Sequence, residues 1–170
     1  MGSILLSELQ WRHSGGSTNA DPNLSIGGGI SNFQVSDSIL NSLFSDVSTA
    51  EALAGETSYR CLYIYNANTT DPFQGGNLWM DVLPGGDATM SIAPDPGGLN
   101  TTPTAIADEF TAPSGVTFVN ATSEITAVLI GDIPALGRYP IWVKRVQAVN
   151  ASPPSQNAQF RLLLKGLLYS

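Results

Sequence analysis

The stretch YRCLYIYN, residues 59–66, decides the fold class. Successive side chains of a β-strand point to opposite faces. The two faces of this stretch are Tyr59, Cys61, Tyr63 and Tyr65 on one side, and Arg60, Leu62, Ile64 and Asn66 on the other. Both faces carry large apolar groups, which indicates a strand in the middle of a sheet, and residues 141–149 show a similar pattern.

Glycine doublets and triplets beside Pro or Asp punctuate the rest of the chain and predict turns. The segments between them with strand character are 4–12, 59–66, 77–83, 88–93, 115–120, 124–130, 139–149 and 157–169. Only residues 36–54 have helical spacing, through Ile39, Leu40, Leu43 and Phe44, enough for one or two turns of helix. Because no strand alternates with a regular helix, we expect an all-β, antiparallel β-sandwich or jelly-roll-like domain of about eight strands.

The domain organisation follows from length and composition. A chain of 170 residues is within the usual size of one domain, so one core is expected. A strand-like stretch and then a long Ser-, Gly- and Asn-rich stretch make residues 1–35 look like an extended N-terminal arm. We therefore predict an arm over 1–35 and a β-sandwich domain over 36–170.

Charge sets the surface chemistry. Charged residues are only 12% of the chain, about half the usual share, and the net charge is -7. A surface so poor in charge lacks the repulsion that keeps free proteins apart, which favours contacts with neighbours. The seven basic residues form no concentrated patch, so no nucleic-acid partner is expected. No apolar run is long enough to cross a bilayer, and neither a membrane partner nor a signal peptide is predicted.

The residues that carry most enzyme chemistry are sparse. His13 is the only histidine, and we interpret it as a solvent-facing turn residue. Cys61 lies between large apolar residues and is expected to pack in the core. Asp71, Asp87 and Asp95 each lie beside Pro or Gly in predicted loops, where they could converge on a calcium ion. The opening of a turn, a common role of Asp, explains each of them, and this interpretation is favoured. We expect no catalytic residues, no metal site and no cofactor, and hence no enzyme.

The tryptophans leave one binding function open. Trp11, Trp79 and Trp142 could form a flat sugar-stacking platform, which would make the chain a carbohydrate-binding module. Each of them lies within an apolar strand, however, and packing in the core or an interface is favoured.

Four segments carry a resemblance to a known group of proteins. They are DPNLSIGG at 21–28, YRCLYIYN at 59–66, TAPSGVTF at 111–118 and YPIWVKR at 139–145. With them the chain resembles small structural proteins of tailed bacteriophage particles, a group usually regarded as head decoration (cement) proteins or other virion proteins. The resemblance implies a non-enzymatic part of a capsid or a tail, made in the cytoplasm of a host bacterium.

Two virion functions are expected from these features. The first is a decoration protein on the outer surface of the capsid, bound to the major capsid protein and to neighbouring copies of itself, with the arm as the bridging element. The second is a tail, baseplate or fibre component, which would form closed rings with itself. The residues predicted to form the interface are Ile4, Leu6, Leu9, Trp11, Leu163, Leu167 and Leu168.

Overall fold

The computed structural model describes residues 4–36, 42–81, 88–150 and 161–167. In these residues the protein is mostly β, with seven strands in two antiparallel sheets and one short helix, consistent with a β-sandwich. The strands are β1 Leu9–His13, β2 Glu56–Asn66, β3 Phe73–Met80, β4 Ala88–Pro94, β5 Val128–Ile133, β6 Arg138–Gln147 and β7 Leu162–Lys165; the helix is α1 Thr49–Ala54. The predicted fold class is confirmed.

The larger sheet has the strand order β1-β2-β6-β4. Its central pair is β2 and β6, which run antiparallel from the Glu56–Gln147 pair to the Tyr65–Arg138 pair. Both strands are inner strands, as their apolar residues on two faces predicted. The smaller sheet has the order β5-β3-β7, and an irregular register between Phe73 and Asn77 marks a bulge in its β3–β5 pairing.

The core lies between the two sheets. Strands β2, β4 and β6 contribute the inward-facing side chains from the larger sheet, and β3 and β5 contribute those from the smaller sheet. The buried apolar cluster comprises Leu43, Phe44, Leu62, Ile64, Leu78, Met80, Met90, Ile92, Ala121, Ile130, Ile133, Ile141 and Val143. Burying this much apolar surface is the main contribution to the stability of the sandwich.

Long loops cover the outer side of the larger sheet. The hydroxyl of Tyr63 donates to the carbonyl of Gly28 at 2.7 Å, and Nε1 of Trp142 donates to Asp95 Oδ2 at 2.9 Å. The loop that carries Gly28 and the loop that carries Pro103 also bond to each other, since the Gly28 N–H donates to the Pro103 carbonyl at 2.9 Å. As a result, Cys61, which points to this side, is fully buried.

The loop that carries Gly28 belongs to residues 1–35, the stretch predicted to be an arm. Strand β1 pairs with β2 from Leu9 to His13, and four serine and asparagine side chains between residues 14 and 31 are buried. The described part of this stretch is therefore built into the domain and is not a free extension. The boundary at residue 35 stays a prediction.

Two sequence interpretations need correction. His13 is not a solvent-facing turn residue: it ends β1, only 4% of it is exposed, and its Nδ1 lies 2.9 Å from Ser25 Oγ. Residues 115–120 form no strand, since only Val119 makes an isolated bridge, to Ile92. The short helix predicted within 36–54 is confirmed: it occupies the last six residues of that range, while Ile39 and Leu40 lie outside the described residues.

The short helix α1 is stabilised by capping interactions at both ends. Ser48 Oγ accepts from the Glu51 N–H at 3.2 Å, and the Glu51 carboxylate accepts from the Ser48 N–H. Gly55 ends the helix with a φ of 74°, which favours glycine. Among the described residues, α1 and every other helical turn are too short to span a membrane.

Candidate interaction surface

The outer side of the smaller sheet is apolar and partly open to solvent. Along β3, Trp79 alternates with the buried Leu78 and Met80 and therefore points outward. Leu163 pairs with Trp79, and Leu129 pairs with the neighbouring Asn77 and is 70% exposed. We call this surface, formed by Trp79, Leu129, Leu163 and Leu167, the open face.

The charges around the open face are paired within the chain. Arg161 forms an ion pair with Asp81, and Lys165 forms one with Glu124. All four side chains are substantially exposed, so these pairs contribute little to stability. Within each of these two pairs the charges cancel.

A second exposed apolar cluster lies at the end of the sandwich where β1 and β6 begin and β2 ends. Its members are Leu5, Leu6 and Leu136, which are 61%, 90% and 54% exposed. Leu5 and Leu6 lie in the 3-10 turn before β1, and Leu136 lies in the tight loop between β5 and β6. We call these three residues the leucine corner.

A hydrogen-bond network holds the two turns of the leucine corner together. The Leu5 N–H donates to Glu8 Oε2 at 2.8 Å, and Asn68 Nδ2 donates to the same carboxylate oxygen at 3.0 Å. From the other side, the Leu136 N–H donates to the Asn68 carbonyl at 3.0 Å. Asn68 is buried and so links both leucine turns to the body of the domain.

Asn66, at the end of β2, fixes the loops beneath the corner. Its Nδ2 lies 2.9 Å from the Asp71 carbonyl, 3.1 Å from that of Ile133 and 3.2 Å from that of Pro134. Its Oδ1 accepts from the Asn68 N–H at 3.0 Å. Since Asn66 is fully buried, these bonds replace water and order the loops that carry Leu136.

Leu136 has an unusual backbone conformation. Its φ of 57° lies in the left-handed region, where a leucine is disfavoured by about 1–2 kcal/mol. More than half of its side chain is exposed, so burial does not offset this cost. Strain of this kind concentrates at functional positions, which makes Leu136 a candidate contact residue.

The loops of the leucine corner are acidic. The acidic residues near them are Glu8, Asp71 and, near the end of β5, Asp132, against the cation Arg138 at the start of β6. The hydrogen bond from the Leu5 backbone, followed by that from Asn68, holds the pKa of Glu8 below its usual value. The corner therefore combines exposed leucines with a negative rim at neutral pH.

The predicted interface residues divide between these surfaces and the core. Leu6 lies in the leucine corner, with the half-buried Ile4 two residues before it, and Leu163 and Leu167 lie on the open face. Leu9 and Trp11 instead pack against the core. Leu168 lies outside the described residues, and the interface role of the whole set stays a prediction.

Sequence reasoning did not single out Leu5, Leu129 or Leu136. Leu136 occurs in the sequence Pro-Ala-Leu-Gly, where a bulky apolar residue directly before a turn glycine was the available signal. In β5, Leu129 lies between the partly buried Val128 and the buried Ile130. Its outward position depends on how β5 pairs with β3.

One buried pair resembles part of a catalytic site. Ser25 Oγ and His13 Nδ1 are within hydrogen-bond distance, and Asn19 Nδ2 lies 3.5 Å from the same hydroxyl. Burial lowers the pKa of His13, although the charge of Asp21 partly opposes this effect. Ser25 is fully buried and His13 nearly so, so no substrate reaches them in this conformation. The pair instead anchors the loop that covers β2.

Other reactive groups also have structural partners. Burial raises the pKa of the Cys61 thiol well above its usual value, as expected for a core cysteine. Glu109 pairs with the fully buried Arg60. Among the described residues, no group of three or more His, Cys, Asp or Glu side chains is arranged to hold a metal ion; Asp87 lies outside them.

The tryptophans do not form a shared exposed platform. Trp142 is buried and bonded to Asp95, while Trp11 and Trp79 each pack partly against the core. A shallow cleft of about 520 Å³ lies beside Asp95, bordered by threonine, proline and alanine residues of 101–114. The three tryptophans therefore do not share one exposed face, and the carbohydrate-binding function itself stays a prediction.

Comparison of the chain with protein-family models, with curated proteins and with solved structures finds no match. The surfaces themselves are therefore the basis for proposing a function.

Proposed function

We propose that the protein is a non-enzymatic virion component, a capsid decoration protein that docks on the outer surface of the major capsid protein lattice through its leucine corner. The observation that carries the proposal is the pair of leucine turns, which are exposed to solvent yet linked by hydrogen bonds through Glu8, Asn66 and Asn68. Three exposed leucines on two linked turns form a local apolar patch, which is typical of a docking surface.

The energetics suit a contact that is repeated many times. Burying an exposed leucine contributes about 1.5–3 kcal/mol, and three of them compete with the entropy cost of association. Because the leucine turns are already ordered, less entropy is lost on docking. Many copies bound only to the assembled shell shift its equilibrium toward the intact state.

Charge indicates what the partner surface looks like. The corner has a negative rim of Glu8, Asp71 and Asp132, so the complementary site is an apolar depression flanked by lysine or arginine. Docking of this kind weakens as salt screens the rim. The resemblance of four segments to small structural proteins of tailed bacteriophage particles also favours a virion role, in a capsid or a tail.

The test is cosedimentation of the purified protein with phage heads that lack it. We expect saturable binding that weakens at high salt, and loss of binding in a Leu5→Ser, Leu6→Ser, Leu136→Asn variant. An Ile125→Ser variant is the matched control, because Ile125 is 97% exposed and precedes β5, at the opposite end of that strand from Leu136. Equal binding by the triple variant would exclude the corner, and no binding by the unaltered protein would exclude decoration.

A tail component is the second candidate. The apolar open face, flanked by two ion pairs whose charges cancel, favours it, because ring-forming proteins need surfaces compatible with their own copies. A defined ring in solution together with no head binding would support this alternative.

A further inference from the structure

Two arginines lie beside one tyrosine on the outer side of the larger sheet. Gln10 of β1 and Arg138 of β6 both pair with Tyr65 of β2, and the side chains of paired residues lie on the same face. This is the outer face, because Tyr63, two residues before Tyr65, donates to the covering loop. Arg12 also lies there, with its guanidinium carbon 4.4 Å from the centre of the Tyr65 ring. We call Arg12, Tyr65 and Arg138 the arginine cluster.

The side chain of Arg138 has no partner within the described part of the chain. The residue is half-buried, and its Nε is buried without an acceptor. Among the described residues, its guanidinium neither donates a hydrogen bond nor pairs with a carboxylate. Its backbone, in contrast, is held by Asn100: the Arg138 N–H donates to Asn100 Oδ1 at 2.9 Å, and its carbonyl accepts from the Asn100 N–H at 2.8 Å. Buried donors are costly without an acceptor, and a ligand that reaches this partly exposed side chain would supply one.

Arg12 is oriented by its neighbours, but they leave its charge uncompensated. Gln10 Oε1 accepts from Arg12 Nε at 3.0 Å and from Nη2 at 2.8 Å, and the Ser31 carbonyl accepts from Nη1 at 3.4 Å. Both acceptors are neutral. The ring of Tyr65 further orders the guanidinium. A charged group that is already ordered loses less entropy when it binds a ligand.

The carboxylates of the described residues are engaged elsewhere. The ion pairs found there involve other cations, namely Arg60, Arg161 and Lys165. Asp95 lies on the same side of the sheet, but its Oδ2 accepts from Trp142 Nε1 at 2.9 Å and its Oδ1 from the Gly97 N–H at 2.9 Å. The arginine cluster is therefore a positive position on a chain whose net charge is -7.

We propose that the arginine cluster binds a phosphate-type oxyanion that bridges Arg12 and Arg138. Guanidinium groups match the oxygens of such anions through paired, charge-assisted hydrogen bonds. A phosphate group carries nearly two negative charges at about pH 7.5 and balances both arginines, whereas a carboxylate balances one. Its several acceptor oxygens also suffice for donors from two strands. The group is either free inorganic phosphate or a phosphate ester of a larger molecule.

This inference does not depend on the proposed docking function. The leucine corner is an apolar surface at one end of the sandwich, whereas the arginine cluster lies on the outer face of the larger sheet. Binding of a small anion is measured on the purified protein without phage heads. Failure of either proposal would therefore leave the other standing.

The test is isothermal titration calorimetry of inorganic phosphate into the full chain at about pH 7.5, with sodium chloride holding the ionic strength constant. We expect saturable binding of one phosphate per chain. An Arg138→Met variant should bind at least about tenfold more weakly, because it loses charge-assisted hydrogen bonds. Arg161→Gln is the matched control: it removes the same charge from an exposed position outside the cluster and should bind like the unaltered protein.

Thermal unfolding shows whether the Arg138→Met variant is folded and whether phosphate acts through the cluster. In chloride, the variant should unfold at the same temperature as the unaltered protein or higher, because it removes a half-buried charge that has no partner. Phosphate at about ten times its dissociation constant should raise the unfolding temperature of the unaltered protein by about 3–6 °C more than that of the variant. The difference between the two proteins excludes the general stabilising effect of phosphate as a salt.

Two further titrations define the ligand. Glycerol phosphate that binds as tightly as inorganic phosphate would support an ester as the source, and binding of inorganic phosphate alone would support the free ion. Three results would overturn the proposal: no saturable binding of phosphate by the unaltered protein, equal binding by Arg138→Met, and equally tight binding of acetate at the same ionic strength.

Discussion

The side-chain amide of Asn68 donates a hydrogen bond to the carboxylate of Glu8 at 3.0 Å, across 60 residues of sequence. Since the Asn68 carbonyl also accepts from Leu136, this one residue positions both halves of the leucine corner. The relationship ties an exposed apolar surface to a buried polar network, and the consequences of breaking it can be measured.

Replacing Asn68 by alanine should lower the free energy of unfolding by about 1–3 kcal/mol. The variant loses the bond to Glu8 and leaves the Thr70 and Asp71 N–H groups without their acceptor, Asn68 Oδ1. Urea denaturation measures the loss. Thr69→Ala, a neighbouring exposed position, is the control and should change the free energy little; equal effects in both variants would argue against the network.

Replacing Leu136 by asparagine should separate stability from binding. Asparagine tolerates a left-handed backbone, so the free energy of unfolding should stay level or rise by up to about 1 kcal/mol. Binding to heads should fall, because an exposed leucine of the corner is lost. Thermal unfolding and cosedimentation of the same samples measure both quantities, and a variant that is less stable yet binds fully would contradict this view of Leu136.

The stability of the protein should depend on pH through His13. Burial lowers its pKa in the folded state, so the unfolded chain binds a proton more readily below about pH 6.5. The contribution of neutral His13 is therefore fully present above that pH and is lost as the pH falls toward the folded pKa. Urea denaturation between pH 5 and pH 8 measures the slope.

A His13→Gln variant is the comparison for this experiment, since it removes the titrating group. Glu56 has its pKa raised, mainly by burial, and so acts in the opposite direction, but it is present in both proteins and cancels. The slope should be flatter in the variant. Identical slopes in both proteins would mean that His13 is solvated in the folded state.

The thiol of Cys61 should be inert while the protein is folded. It is fully buried, and burial raises its pKa, so the reactive thiolate is both rare and inaccessible. A colourimetric thiol reagent should react only as fast as the chain unfolds, and faster in urea. Rapid reaction of the native protein would show that the loops over β2 open readily.

The central strands were predictable because their sequences carry apolar residues on both faces. Residues 59–66 and most of 139–149 alternate large apolar groups on both sides, and β2 and β6 are the inner strands of the larger sheet. Residues 115–120 were wrongly predicted to form a strand. Phe118 lies outside the strands, and its ring packs against Tyr59 of β2 with the ring centres 5.6 Å apart.

The candidate surfaces were predictable only in part. Leu6 and Leu163 stand out as leucines near the ends of the chain, but the exposure of Leu136 depends on a loop whose shape Asn66 fixes from another strand. The burial of His13 likewise depends on Ser25, which a loop brings back over β1 and β2. Such long-range contacts leave no local pattern in the sequence.

A cryo-EM reconstruction of phage heads saturated with the protein tests the central claim most directly. The account predicts density for the β-sandwich on the outer surface of the shell, with Leu5, Leu6 and Leu136 facing the capsid. Density in which the leucine corner faces solvent, or heads that carry no added density at all, would contradict it.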